Sequence, residues 1–335
     1  MSVYHASCPS NIALVKYWGK KPGYKQIPAN PSVSLTLTMS RTMMTWYMNP
    51  KHDDIPIRQC FFHGKEHQYF GQKIASYCAG LADVLPGLDQ RDIVVQSENT
   101  FPHSAGIASS ASAFATMALC LGQWYRDQGH TLPLGYRTWD QFHSMLARRG
   151  SGSACRSVYS GLVTRGWESV DFASPVDVHH VSRTYDTIYD TIIVISSDEK
   201  KQTSTAGHAS MDTNPYASIR YEQARRHTEE ILRGFEEGSW LLIGSIIEQE
   251  CWELHAMMLL SQPSTIHRLP ETLRCIQVIK EWRDQTGEEV FITIDAGANI
   301  HCLSLQPLSP QLRQRLHFPL IEDWSVLRPD TRDVL

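Results

Sequence analysis

Over residues 31–38, apolar Val33, Leu35 and Leu37 alternate with polar Ser32, Ser34 and Thr36. A period of two turns one face of an extended chain inward, so this stretch is expected to be a strand. Comparable stretches predict strands at 42–47, 92–97, 191–196, 289–295 and 300–305. After Gly106 the period changes. Ile107, Ala111, Phe114, Ala118 and Leu121 recur at steps of four and three, which draws one apolar stripe along a helix. Further helices are expected at 69–85, 138–149, 215–234, 239–260 and 270–287. Strands and helices mixed without regular alternation point to an α+β fold rather than a doubly wound sheet. A break near residues 185–190 divides the chain into expected domains of 1–187 and 188–335.

Composition narrows the picture. The 335 residues are 42% hydrophobic and 20% charged, ample for a hydrophobic core. A formal net charge of −4, with no lysine or arginine block, argues against nucleic acid as the main partner. An anionic substrate then needs a local basic pocket. No apolar run approaches the roughly 18 residues of a membrane span, and residues 1–10 lack a secretory pattern. Eight scattered cysteines without a CxxC pair are expected as reduced, buried thiols in a cytoplasmic protein. Among fifteen histidines, neither His63/His67 nor His179–His180 has the spacing of a transition-metal site.

Four segments carry candidate chemistry. Residues 101–112 read F-P-H-S-A-G-I-A-S-S-A-S, a strand exit followed by a turn at Pro102 and Gly106 and then the striped helix. Free N–H groups and the positive helix end converge there, suiting phosphate oxygens, with Ser109, Ser110 and Ser112 adding hydroxyls. It is not a Walker A loop, and small residues also permit close helix packing. Residues 9–20 read P-S-N-I-A-L-V-K-Y-W-G-K, where Lys16 and Lys20 beside Tyr17 and Trp18 suit either an anion pocket or a solvated strand. Residues 149–161 read R-G-S-G-S-A-C-R-S-V-Y-S-G; Ser151, Ser153 and Arg156 suit a phosphate or carboxylate, or else a surface turn. In residues 289–305, Asp295 ends a strand, as a base or as a turn-capping carboxylate. A weaker segment, 200–208, holds Thr203, Ser204 and Thr205, which fit a helix cap or a ligand contact.

Together the runs N-I-A-x-x-K-Y-W-G-K, F-P-x-x-A-G-x-A-S-S-A, S-G-S-A-C-R-S and D-A-G-x-N, in this order from Pro9 to about Leu305, resemble the mevalonate diphosphate decarboxylase family of the GHMP kinases. The resemblance implies a ribosomal-S5-like N-terminal half, a ferredoxin-like C-terminal half and an active site in the cleft between them. It implies ATP with Mg²⁺, conversion of mevalonate 5-diphosphate to isopentenyl diphosphate, and a homodimer. The implied catalytic residues are Asp295, Lys16 and Arg156. Tyr17, Lys20, Ser151, Ser153, Arg156 and Ser204 match substrate contacts. Pro102, Ser104, Ala105, Gly106, Ala108, Ser109 and Ser110 match the ATP phosphate loop, with Ser109 and Ser110 near Mg²⁺ through the phosphates. His103, His208 and Ala298 depart from the family's usual threonine-like residue, methionine and proline. The alternatives are a mevalonate 3-kinase, a phosphomevalonate decarboxylase, or a ligand-binding relative without catalysis.

Overall fold

The computed structural model describes residues 1–23, 25–52, 58–102, 107–197 and 204–328, with the backbone alone for 204–206. One sheet contains β1 (Ser2–Val15), β2 (Ser32–Pro50), β3 (Arg58–Phe62), β4 (Lys65–Glu66), β5 (Arg91–Asn99), β6 (Leu162–Arg165) and β7 (Ala173–Pro175). Its order is β4-β3-β5-β2-β6-β7, with β1 also on β2, and only β3–β5 is parallel. A second, antiparallel sheet has β8 (Thr187–Ile193), β9 (Phe291–Thr293), β10 (Ile300–Ser304) and β11 (Leu320–Val326) in the order β11-β8-β10-β9. The helices are α1 (Gln68–Ala79), α2 (Ser109–Asp127), α3 (Trp139–Gly150), α4 (Ser204–Ala209), α5 (Ala217–Glu237), α6 (Trp240–Leu259), α7 (Pro270–Thr286) and α8 (Pro310–Leu316).

The strands expected at 31–38 and 42–47 are one strand. β2 pairs with β6 over Ser32–Leu35 and with β5 over Thr42–Pro50. Between these partners its backbone would lack acceptors, and a side chain from the end of the chain supplies them. The Asp323 carboxylate on β11 accepts the N–H groups of Thr38 and Met39 at 2.9 Å and of Ser40 at 2.8 Å. That satisfies donors which burial would otherwise penalise, and the strand runs on.

Packing follows the apolar patterns. Ala111, Ala118 and Leu121 of the α2 stripe are fully buried, the last two in a core with Trp46, Trp124 and Phe142. Ile12, Leu14, Val33 and Leu35 of the first sheet share another core with Ile188 and Ile192 of β8 and Phe235, Trp240 and Phe291. Each such side chain contributes about 1.5–3 kcal/mol when fully buried, so this shared core fixes one sheet against the other. Among the described residues, no helix is long and apolar enough to cross a membrane.

Candidate active site

β1 carries an irregularity between Pro9 and Asn11, and another between Ala13 and Val15, before the strand ends. Such bulges redirect side chains. Asn11 is turned inward, where its Oδ1 accepts from Nη2 of Arg156 at 3.1 Å and its Nδ2 donates to Ser157 Oγ at 2.7 Å. Arg156 also donates from Nη1 to Ser32 Oγ at 2.7 Å. The arginine is 2% exposed and its side-chain partners are neutral. Burial is the main reason its guanidinium falls below the ordinary value, to about 10, so it stays charged at neutral pH.

Beyond Val15 the chain leaves the sheet and is held from two sides. The Lys16 N–H donates to Glu250 Oε2 at 2.8 Å, and the Lys16 carbonyl accepts from Asn30 Nδ2 at 2.9 Å. Lys16 is 1% exposed, and its ammonium donates to Asp295 Oδ1 at 2.8 Å. Asp295 follows β9 in a turn where the Gly297 N–H donates to the Asp295 carbonyl at 2.7 Å. Asn299 ties that turn to the end of β8, its Oδ1 accepting from Ile195 N at 2.8 Å and Ser196 N at 2.9 Å.

Glu250 was not anticipated from sequence. It is fully buried on α6, where it accepts from Arg220 and from Nδ1 of His227 as well as from Lys16. Burial pushes its carboxyl up, but the Arg220 charge, the His227 hydrogen bond and the Lys16 N–H together hold it below the usual range. His227, Glu250 and Glu253 bring potential ligand atoms together, yet the Arg220 cation sits against both carboxylates, 3.5 Å from Glu253, and opposes a metal there. A lone carboxylate among Ile246, Ile247, Cys251 and Leu254 on an otherwise apolar helix face was the available signal.

Asn11, Lys16, Arg156 and Asp295 line a cavity of about 500 Å³, with Glu250 behind it. Lys16, Tyr17, Lys20, Ala108, Ser109, Ser110, Ser151, Ser153, Arg156 and Asp295 all reach it, so every residue named from the lysine, serine-glycine and aspartate segments meets there. Ser151 and Ser153 hydroxyls lie 3.3 Å apart. Ala108, the residue preceding α2, offers no side-chain cap; the Ala111 N–H donates to the Ala108 carbonyl at 2.7 Å, which leaves the N–H groups of Ser109 and Ser110 at the cavity-lining start of the helix. Ser112 does not join them. It is fully buried against the sheet, its Oγ 2.6 Å from Thr42 Oγ1, so this serine serves close packing. Pro102 is exposed and stands outside the lining. His103, Ser104, Ala105, Gly106 and Thr203 lie outside the described residues, as does the side chain of Ser204 at the start of α4.

His208 closes one wall. Its ring lies 4.3 Å from that of Tyr17 and 4.8 Å from that of Trp18, and its Nδ1 accepts the Gly19 N–H at 3.0 Å. Burial first, then the charges of Lys20 and Arg165, hold it well below the ordinary histidine value. It is therefore neutral with the proton on Nε2, which has no hydrogen-bond partner among the described residues. Gly207 precedes it because a Cβ there would come within 2.4 Å of Trp18.

Two family models match the chain: a diphosphomevalonate decarboxylase-like N-terminal domain over residues 8–173 and a mevalonate 5-diphosphate decarboxylase C-terminal domain over residues 191–323. The diphosphomevalonate decarboxylase of Ganoderma lucidum is 30% identical over 329 residues, covering 89% of this chain and 78% of that protein. The Homo sapiens enzyme of that name is 28% identical, covering 88% of this chain and 74% of its own. A mevalonate diphosphate decarboxylase structure from Legionella pneumophila superposes with a TM-score of 0.81 at 27% identity, over 96% of this chain and 100% of that one. The Staphylococcus aureus enzyme gives 0.80 at 27%, over 97% and 96%. The α+β architecture is thus the GHMP kinase fold, and the chain belongs to the mevalonate diphosphate decarboxylase family.

Proposed function

We propose that the protein converts mevalonate 5-diphosphate to isopentenyl diphosphate, with ATP consumed and CO₂ released. One observation carries this reading: the Lys16–Asp295 pair shares its cavity with the uncapped start of α2 and with Arg156, a buried cation whose side-chain partners are neutral. The pair suits proton abstraction, the helix start suits a phosphate chain, and the arginine suits a carboxylate.

Asp295 accepts the proton of the 3-hydroxyl as its oxygen attacks the γ-phosphoryl group and ADP departs, while Lys16 keeps the carboxylate aimed. Ser109, Ser110 and the neighbouring N–H groups hold the nucleotide phosphates. The 3-phosphate then leaves with the C–O bond pair, the carboxylate C–C pair becomes the alkene, and CO₂ is released. Arg156 orients that carboxylate until it leaves. Serine hydroxyls beside phosphate oxygens are hard donors that suit Mg²⁺, which neutralises phosphate charge when bound. Tyr17, Lys20, Ser151 and Ser153 take the diphosphate end, with Ser204 on α4.

A two-domain organisation, 1–187 and 188–335, accompanies this reading, as do a homodimeric state and a cytoplasmic setting. All eight cysteines are free and buried, which suits a reducing compartment. The test incubates the protein with ATP, Mg²⁺ and each of mevalonate, its 5-phosphate and its 5-diphosphate, scoring ADP and CO₂ independently. ADP and CO₂ in equal amounts from the diphosphate are expected. ADP without CO₂ leaves a 3-kinase, and neither product from any substrate overturns the assignment.

A further inference from the structure

Arg165 closes β6 and is fully buried. Its guanidinium lies over the Tyr17 ring, 4.2 Å from the centroid, and Nη2 donates to the Gln26 carbonyl. Nε and Nη1 have no hydrogen-bond partner, and no carboxylate pairs with this arginine, among the described residues. Its neighbour Arg148 differs, because that arginine is paired with Asp171 at 2.6 Å. A Cβ placed on Gly152 would meet Arg165 Nη1 at 2.8 Å and the Tyr17 ring at 2.6 Å. Gly152 and Tyr17 both line the cavity, so Nη1 stands directly behind its wall.

Lys20 and Arg156, on the cavity side, also have no carboxylate partner among the described residues. The charge of Arg165 reaches them, contributing after burial to the lowered values of Lys20 and His208 and to that of Arg156. Gathering like charges in a buried region is unfavourable unless an anion joins them. Lys20, Arg156, Arg165 and the neutral Nε2–H of His208 together make a wall that suits more than one negative charge.

We propose that Arg165 is a specificity-determining positioning residue: from behind Tyr17 and Gly152, its charge makes the pocket select a diphosphate over a monophosphate. It does not touch the substrate. A diphosphate carries about one more negative charge than a monophosphate near neutral pH. A fixed cation in a poorly solvated wall acts on that difference more strongly than an exposed one. The proposal rests on the substrate class assigned above and names the residue that narrows it.

The experiment compares wild type, Arg165→Met and Arg165→Lys in two ways. Calorimetry measures binding of inorganic pyrophosphate and of orthophosphate, and steady-state assays measure KM and kcat with mevalonate 5-diphosphate and 5-monophosphate. Arg165→Met is expected to lose about tenfold of the preference for pyrophosphate and to raise KM for the diphosphate by about tenfold, with kcat within about threefold. Arg165→Lys, which keeps the charge without the fork, is expected to retain the preference within about threefold. Equal loss for both anions in Arg165→Met, or lost preference in Arg165→Lys, overturns the proposal; should the methionine variant not fold, the lysine variant decides. Pyrophosphate selectivity is read without turnover. A wild type that binds selectively but turns over no mevalonate compound would therefore refute the reaction and leave Arg165 standing.

Discussion

The Lys16 ammonium stands 2.8 Å from Oδ1 of Asp295, although 279 positions separate the two residues in the chain. The lysine is 2% exposed at its side chain and the aspartate 29%, so the pair has a dry side and a side that faces the cavity. The cation is a fixed orienting partner, and the carboxylate is the member that a substrate can reach.

Asp295→Asn retains the size and loses the base. Turnover is expected to fall by about 10²–10⁴-fold, with nucleotide affinity unchanged within about threefold. ADP release and binding of a fluorescent ATP analogue check it. Turnover like that of wild type would remove Asp295 from the mechanism.

Glu250→Ala leaves Arg220 and His227 buried without their carboxylate and frees the Lys16 N–H. Loss of one buried partner costs about 3–5 kcal/mol, whereas Glu250→Gln, which keeps acceptors in place, costs about 1–3 kcal/mol. Urea denaturation gives both values. An alanine variant within about 1 kcal/mol of wild type would show that the network contributes little.

Gly152→Ala places a methyl group within 2.6 Å of Tyr17 and 2.8 Å of Arg165. Something has to move, and overpacking of this kind costs about 1–3 kcal/mol. We expect KM for mevalonate 5-diphosphate to rise about tenfold while KM for ATP holds, because the groups displaced are Tyr17 and its neighbours, assigned above to the diphosphate end. An equal rise in both constants would contradict this division of the cavity.

His255, buried on α6, has its value lowered to about 3 by burial, then by the charges of Arg268 and Lys16. The folded form thus refuses a proton that the unfolded chain takes up below about 6.5. Its contribution is fully present above that pH and is lost at up to about 1.4 kcal/mol per pH unit as the pH falls toward 3. His255→Gln should flatten the fall in stability between pH about 7 and about 5, measured by urea titration. Parallel curves for variant and wild type would refute the assignment.

Much of this was legible in the pattern of residues. Alternation around Val33–Leu37 marked the first part of β2, and the Ile107–Leu121 stripe marked the buried face of α2. Lys16, Ser109, Ser153, Arg156 and Asp295 could each be singled out by type and neighbours, since glycine and serine beside a charge seldom serve a core. Glu250 and Arg165 were missed for a common reason. Each is a charged residue inside an apolar element, and its meaning depends on partners that arrive from other parts of the chain: Lys16 N–H for one, Tyr17 and Gln26 for the other. Ser112 was misread because its hydroxyl looked like those of Ser109 and Ser110, while helical spacing turns it toward Thr42.

The grip of Asp323 on Thr38, Met39 and Ser40 bears on how the protein is made. β2 leaves the ribosome long before Asp323, which lies 283 positions beyond Ser40. Until then three amides in the middle of the strand must stay with water, and Ile12, Leu14, Val33 and Leu35 wait for the later segments that cover them. Multi-part chains often fold from the N-terminus as they emerge, but this sheet cannot settle that way. The cavity is completed only once Asp295 has emerged as well, so the nascent chain before that point is the stage at which a chaperone has most to protect.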